Sequence, residues 1–211
     1  MNVPEKPRVG RPPAYTQEQL LARLVQAAVD LLEEQGADAD VSVAKIAARA
    51  RVSKKTVYTA IVSKEELISQ VIRHNVESVT ALLDLPGDSA VAARATLERF
   101  LAEWERMASG STAIGIYVMA IRERSRYPAI GASYHRSRAE HGVQKLAGWL
   151  QRMHSKKFIK VNDPTLTAEF LLAMVASERQ RRLALGIPSP LSDTELGARV
   201  AAIMQFIFPG H

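Results

Sequence analysis

The chain has 211 residues, 47% hydrophobic and 24% charged, enough to bury a core as one large domain or two small ones. A surplus of basic residues gives a formal net charge of +6, which favours a polyanionic partner only weakly, because many basic proteins merely solvate a lysine-rich surface. The lack of cysteine excludes a disulfide framework, a Cys-based zinc site and a thiol nucleophile, and fits a reducing cytoplasm.

The first stretch, "MNVPEKPRVGRPPAY", is rich in proline and base and lacks the apolar segment of a signal peptide. Residues 1–15 read as a flexible basic arm carrying Lys6, Arg8 and Arg11. The longest apolar run, Ala113 to Ile121, is far too short to span a bilayer, so no membrane partner is expected.

Helix signals then follow one another, and no segment reads convincingly as a strand. Leu20, Leu21, Leu24, Val25, Ala28, Leu31 and Leu32 recur at steps of three and four residues, forming one apolar stripe. Thr16 with Gln19 makes a capping box, Tyr15 against Leu20 a hydrophobic staple, and Gly36 ends this first helix. Val43, Ile46, Ala47 and Ala50 give the inner face of a short second helix starting near Ser42. Ser53 caps a third, with Val52 and Val57 as its staple. Ser63 with Glu66, stapled by Val62 and Leu67, opens a fourth that continues toward Leu83.

Beyond "LPGDSA" the helices lengthen: Ser89 to Ala108, Thr112 to Arg124, Ala129 to His154, Pro164 to Leu185 and Thr194 to Phe208. Asp163 before Pro164 is an N-cap followed by proline at the first helical position, and Ser192 with Glu195 opens the last helix. The fold class is all-α.

Helices two and three are too short to be stable alone, since isolated helices below roughly 12 to 15 residues are marginal, and neighbours must prop them. Joined by the tight "ARARVS" turn, they have the proportions of a helix-turn-helix, whose second helix enters a major groove. From Val41 to Lys64 stand Lys45, Arg49, Arg51, Lys54, Lys55 and Lys64 with no acid among them, while Asp30, Glu33, Glu34, Asp38 and Asp40 lie just before. A one-sign stretch of this kind can neutralise phosphates and release counterions; a solvated face is the bland reading.

The run "VSVAKIAARARVSKKTVYTAIVSKEELISQVI" resembles the DNA-binding domain of the TetR family of bacterial transcriptional regulators, with its Val-Ser-x-x-Thr-aliphatic-Tyr pattern followed by Lys-Glu-x-Leu. The resemblance implies an N-terminal three-helix helix-turn-helix domain at 16–72 and a larger C-terminal helical bundle at 73–211 for ligand binding and dimerisation. It implies a homodimeric repressor on a palindromic operator, released by a small ligand. Ser42, Thr56, Tyr58 and Lys64 match positions that hold phosphates. Lys54, Lys55 and Thr59 fall where side chains reach base edges, Lys55 first among them for guanine. The segment with Lys6, Arg8 and Arg11 resembles an arm that some members lay along DNA. Where many members have glycine in the turn, this chain has Arg51, which a left-handed backbone would strain by roughly 1 to 2 kcal/mol unless phosphate contact offsets it. Ile61 stands where the family usually has phenylalanine.

In the second half, "IRERSRYPAIGASYHRSR" and "NDPTLTAEFLLAMV" resemble one C-terminal subclass of these regulators. The last two helices are expected to pair with those of a second subunit through Leu172, Val175, Ala176, Val200, Ile203, Met204 and Ile207, or else to complete the monomer core. Trp104, Tyr117, Trp149, Met153, Phe170 and Met174 are the large side chains that could line an effector pocket, with Arg122, Arg126 or His135 orienting a polar group. An apolar or amphipathic small molecule is the expected effector; no cofactor and no metal are expected. An enzyme is not: His135 and His141 face different sides of a helix and no phosphate loop or nucleophile motif appears. The alternative is a ligand-independent architectural DNA-binding protein.

Overall fold

The structure, a computed structural model, describes residues 15–85 and 87–208, without the side chains of 137–140. The described residues form α-helices joined by short turns, and no strand. Lys6, Arg8 and Arg11 of the expected basic arm lie outside them.

Helix α1 (Gln17–Gln35) starts as its sequence dictates: Thr16 Oγ1 accepts from the Gln19 amide at 3.2 Å and Gln19 Oε1 from the Thr16 amide at 3.0 Å. Gly36 closes it at φ 54°, where an L side chain would be strained. Ser42 and Ser53 cap α2 (Val43–Arg49) and α3 (Lys54–Ala60), each accepting from the amide three residues on. These two seven-residue helices contribute Ile46, Ala47 and Val57 to a core shared with α1, which packs against both. Ile61, at the position where phenylalanine is usual, is buried in that core.

Helix α4 (Lys64–Thr80) begins differently from expectation. Ser63 Oγ accepts from the Glu66 amide at 3.2 Å, but the Glu66 carboxylate reaches past Ser63 to the Val62 amide at 2.6 Å. Val62 is therefore left 89% exposed and does not staple to Leu67. α4 then runs unbroken through position 72, packing on α1 as well as on α5 and α7, so one helix serves both halves of the chain.

The rest comprises α5 (Ala90–Ser109), α6 (Ser111–Arg122), α7 (Pro128–Ser137), α8 (Gln144–Ser155), α9 (Pro164–Ala184) and α10 (Asp193–Met204). The single helix expected over 129–154 is instead α7 and α8 separated by a wider π turn at Arg138–Val143. Gly142 accounts for its position: a Cβ there would stand 2.3 Å from the Trp104 ring. The wide turn shifts the helical register, so Ile130 before it and Leu146, Trp149, Leu150 and Met153 after it all reach the core. α10 stops at Met204, short of the expected Phe208: the amides of Phe206 and Ile207 bond only three residues back, to the Ile203 and Met204 carbonyls, which tightens the chain out of the α-helix.

The apolar residues expected to pair the last two helices with a second subunit, or else to complete the monomer core, lie inside the single chain. Leu172, Val175, Ala176, Val200, Ile203, Met204 and Ile207 are 0–7% exposed in the single chain and belong to its own core. Side chains already removed from water within one chain have almost no surface left to bury against a second. The apolar residues that α9 and the segment after α10 leave exposed are Leu166, Phe170 and Phe206.

Candidate nucleic-acid interface

Helix α3 buries Val57 and presents its remaining faces outward. Its exposed side chains divide by helical spacing into two flanks. Lys55 and Thr59, with Arg51 from the turn, line an open groove of about 780 Å³ toward the start of α1. Lys54 and Tyr58 line a second of about 720 Å³ toward Ser42 and Ser63 at the starts of α2 and α4.

Hydroxyl groups on these flanks are engaged to different degrees. Thr56 Oγ1 lies 2.8 Å from Ser53 Oγ, Thr59 Oγ1 donates to the Thr56 carbonyl at 2.7 Å, and Ser42 Oγ accepts from the Lys45 amide at 3.3 Å. Each oxygen keeps acceptor or donor capacity. The Tyr58 ring is 57% exposed, in keeping with a side chain that projects from the helix. Arg51 has φ 54°, so the turn adopts the left-handed conformation despite lacking glycine.

The basic stretch is less uniform in space than in sequence. Arg49 Nη1 donates to Glu34 at 2.7 Å and lies 3.9 Å from Asp30, while Lys45 Nζ is 3.0 Å from Asp40. Hydrogen bonds from these cations hold the Glu34 and Asp40 carboxyls below the usual carboxylate range. Lys64, expected at a phosphate, has a side chain that is 13% exposed, 3.2 Å from Glu123 and 5.1 Å from the centre of the Tyr127 ring. A carboxylate two helices away captures it more completely than solvent would. Arg51, Lys54 and Lys55 thus remain as the cations of the helix-turn-helix without an ion pair among the described residues.

The side chains expected to form an effector pocket do not converge. A cavity of about 30 Å³ is lined by α4, α5, α6, α7 and α9, with Ile72, Trp104, Ile116, Tyr134 and Gln180 in its wall. Trp104 alone of the expected residues lines it; Tyr117 stands behind, tilted against Tyr134 with ring centres 5.6 Å apart. Trp149 and Met153 are core residues of α8, and Phe170 and Met174 line a separate surface groove with Leu166 and Phe206. Arg122 is elsewhere again, donating to the Ala39 carbonyl at 3.2 Å, and His135 is exposed on α7. Gln180, buried and donating to Tyr134 Oη and the Ala108 carbonyl at 3.0 Å, was missed. Its signal was a lone amide continuing the inward row Ala168, Leu172 and Ala176 in steps of four.

Among the described residues there is no cluster of His, Asp and Glu that could hold a metal ion, and no helix long and apolar enough to cross a membrane.

Comparison with known proteins agrees with this geometry. Residues 24–71 match the model of bacterial regulatory proteins of the tetR family, and residues 95–208 match the C-terminal domain of AefR-like transcriptional repressors. No curated protein matches the chain. A TetR-family transcriptional regulator from Mesorhizobium loti MAFF303099 is 22% identical with a TM-score of 0.70, covering 92% of this chain and 98% of that one. The flavonoid-responsive regulator FrrA is 25% identical with a TM-score of 0.62, covering 90% and 95%. FadR from Bacillus subtilis, in complex with stearoyl-CoA, is 16% identical with a TM-score of 0.62, covering 90% and 98%. Both domain models fall on the matching halves of the fold and the C-terminal one spans over half of the sequence, so the chain belongs to the TetR family of bacterial transcriptional regulators.

Proposed function

We propose that the protein is a homodimeric repressor that places two copies of α3 in successive major grooves of a palindromic operator and leaves it when a small molecule binds. The observation that carries this reading is the outward face of α3, where Lys54, Lys55 and Tyr58 project beside Arg51 while Val57 anchors the helix from behind. Lys55 and Thr59 are assigned to base edges, with Lys55 donating to guanine, and Lys54 joins them at the groove wall. Ser42, Thr56 and Tyr58 are assigned to phosphates, where a hydroxyl positions the duplex without reading it.

Selection of duplexes from a random pool tests it. Enrichment of a two-fold symmetric sequence with half-sites about one helical turn apart is expected. Lys55→Ala should relax preference at particular base pairs, whereas Tyr58→Phe should weaken binding evenly across sequences. Recovery of no preferred sequence would overturn the reading.

The effector is proposed to enter at the Trp104 cavity, where Tyr134 Oη and Gln180 offer polar contacts in an apolar wall. At about 30 Å³ the space holds little more than a water, so binding must separate the helices around it. Relatives of the fold support an apolar or amphipathic ligand: FrrA is flavonoid-responsive and FadR was solved with stearoyl-CoA. The size of the cavity also favours a second reading, a ligand-independent architectural binder. Release of the selected duplex by a flavonoid or a long-chain acyl-CoA would separate the two.

A further inference from the structure

The groove beside Lys54 and Tyr58 is not built by the helix-turn-helix alone. Arg126 and Tyr127, from the segment joining α6 to α7, line it together with Ser42, Lys54, Tyr58 and Ser63. The C-terminal half of the chain therefore supplies part of a surface that also holds Ser42, Lys54 and Tyr58, which are assigned to DNA. Lys64, which the resemblance to the family puts at a phosphate, lines this groove too, but its ammonium is paired there with Glu123 and lies against the Tyr127 ring. Arg126 takes the exposed place: its guanidinium lies 5.2 Å from the Tyr127 ring centre and makes no ion pair among the described residues.

The geometry points to Arg126 as a phosphate contact that the regulatory half contributes directly to DNA binding. The carboxylates along the groove do not oppose this. Asp40 is tied to Lys45 at 3.0 Å and Glu123 to Lys64 at 3.2 Å, which leaves Glu65 against the free cations Lys54 and Arg126. An arginine matches a phosphate with a planar fork of donors, and stacking on an aromatic ring orients that fork before the duplex arrives. Arg122, donating to the Ala39 carbonyl at 3.2 Å, and the Lys64–Glu123 pair fix the segment to the base of the DNA-binding half. Any movement of α6 that breaks these ties withdraws Arg126 from the duplex, so regulation acts on a DNA contact without first reorienting α3.

This inference rests on α3 being the DNA-reading helix, and its test separates the two claims. The probe is a mixed-sequence duplex of about 30 base pairs, roughly three helical turns, bound over a range of salt concentrations. Arg126→Gln should weaken binding several-fold and flatten the slope of log affinity against log salt by about 0.9 per chain, the contribution of one phosphate contact. Arg126→Lys should keep most of the slope. Arg124→Gln, which removes an exposed arginine outside the groove, should leave the slope near wild type. The unfolding midpoint of each variant distinguishes lost charge from lost fold. An Arg126→Gln slope equal to that of wild type, or an equal fall in Arg124→Gln, would overturn the assignment while leaving α3 as the reading helix. Wild-type protein that binds no duplex in a salt-dependent way would end both.

Discussion

Arg51 sets two demands against each other at one residue. Its backbone sits at φ 54°, a region that costs an L residue roughly 1 to 2 kcal/mol relative to glycine's free access. Glycine would in turn lose about 0.5 to 1 kcal/mol through the greater freedom of its unfolded chain, so Arg51→Gly should stabilise the fold by up to about 1.5 kcal/mol. The same change removes a guanidinium from the groove that Lys55 and Thr59 line, and should weaken DNA binding. Stability and affinity therefore move in opposite directions, seen as a rise in the urea midpoint beside a loss of duplex affinity. Arg51→Ala supplies the control: it loses the charge and keeps the strain. A lower midpoint for Arg51→Gly would show that the turn is not strained. From sequence alone the strain was conditional, because the letter at position 51 does not state its φ. The pairing of Lys64 was not legible at all, since its partner Glu123 stands just past the end of α6, far along the chain.

Between elements, the decisive contact is where α6 crosses the end of α1. A Cβ on Gly115 would stand 2.6 Å from the Gly36 carbonyl oxygen and 2.8 Å from Leu32 Cδ2, so only glycine allows this approach. Gly115→Ala must push backbone against backbone, a kind of overpacking that typically costs about 1 to 3 kcal/mol. Because α6 ends at the Arg122–Ala39 and Glu123–Lys64 ties, the displacement reaches the DNA-binding half as well. Thermal unfolding of Gly115→Ala should show a lowered midpoint together with altered duplex affinity. An unchanged midpoint would mean that the crossing is loose. The helix starts at Thr16, Ser42, Ser53, Ser89, Asp163 and Ser192 were readable because a cap is settled by residues three apart. The π turn at Arg138–Val143 was not, because the close approach of Gly142 to the Trp104 ring within it is a contact with a distant helix.

At the scale of the whole molecule, the proposed dimer needs a face of α9 and α10 that the single chain leaves uncovered. α9 is apolar on more than one side: Ala168, Leu172 and Val175 follow one row, Leu166, Phe170 and Ala173 another, so periodicity alone could not say which row the monomer keeps. Packing decides it, burying the first row and leaving Phe170 58% and Phe206 74% exposed. Beyond its first turn, the exposed residues of α10 are small, Gly197, Ala198, Ala201 and Ala202, and would let a neighbouring helix approach closely. The proposed dimer therefore uses the second row, with Phe170 at its centre. Phe170→Glu places a charge where desolvation would be uncompensated, and should convert dimer to monomer in sedimentation without lowering the unfolding midpoint of the chain, because that side chain is outside the monomer core. Monomers would still engage an isolated half-site, while affinity for the complete two-fold site should fall by about 10² to 10⁴, the gain that linking two binding modules usually brings. Leu172→Glu offers the contrast: it would unfold the chain rather than split a dimer, since Leu172 is buried within one subunit. If Phe170→Glu sedimented as wild type does, and a folded Leu172→Glu sedimented as a monomer, the interface would belong to the buried row after all and the subunit would have to open to form it.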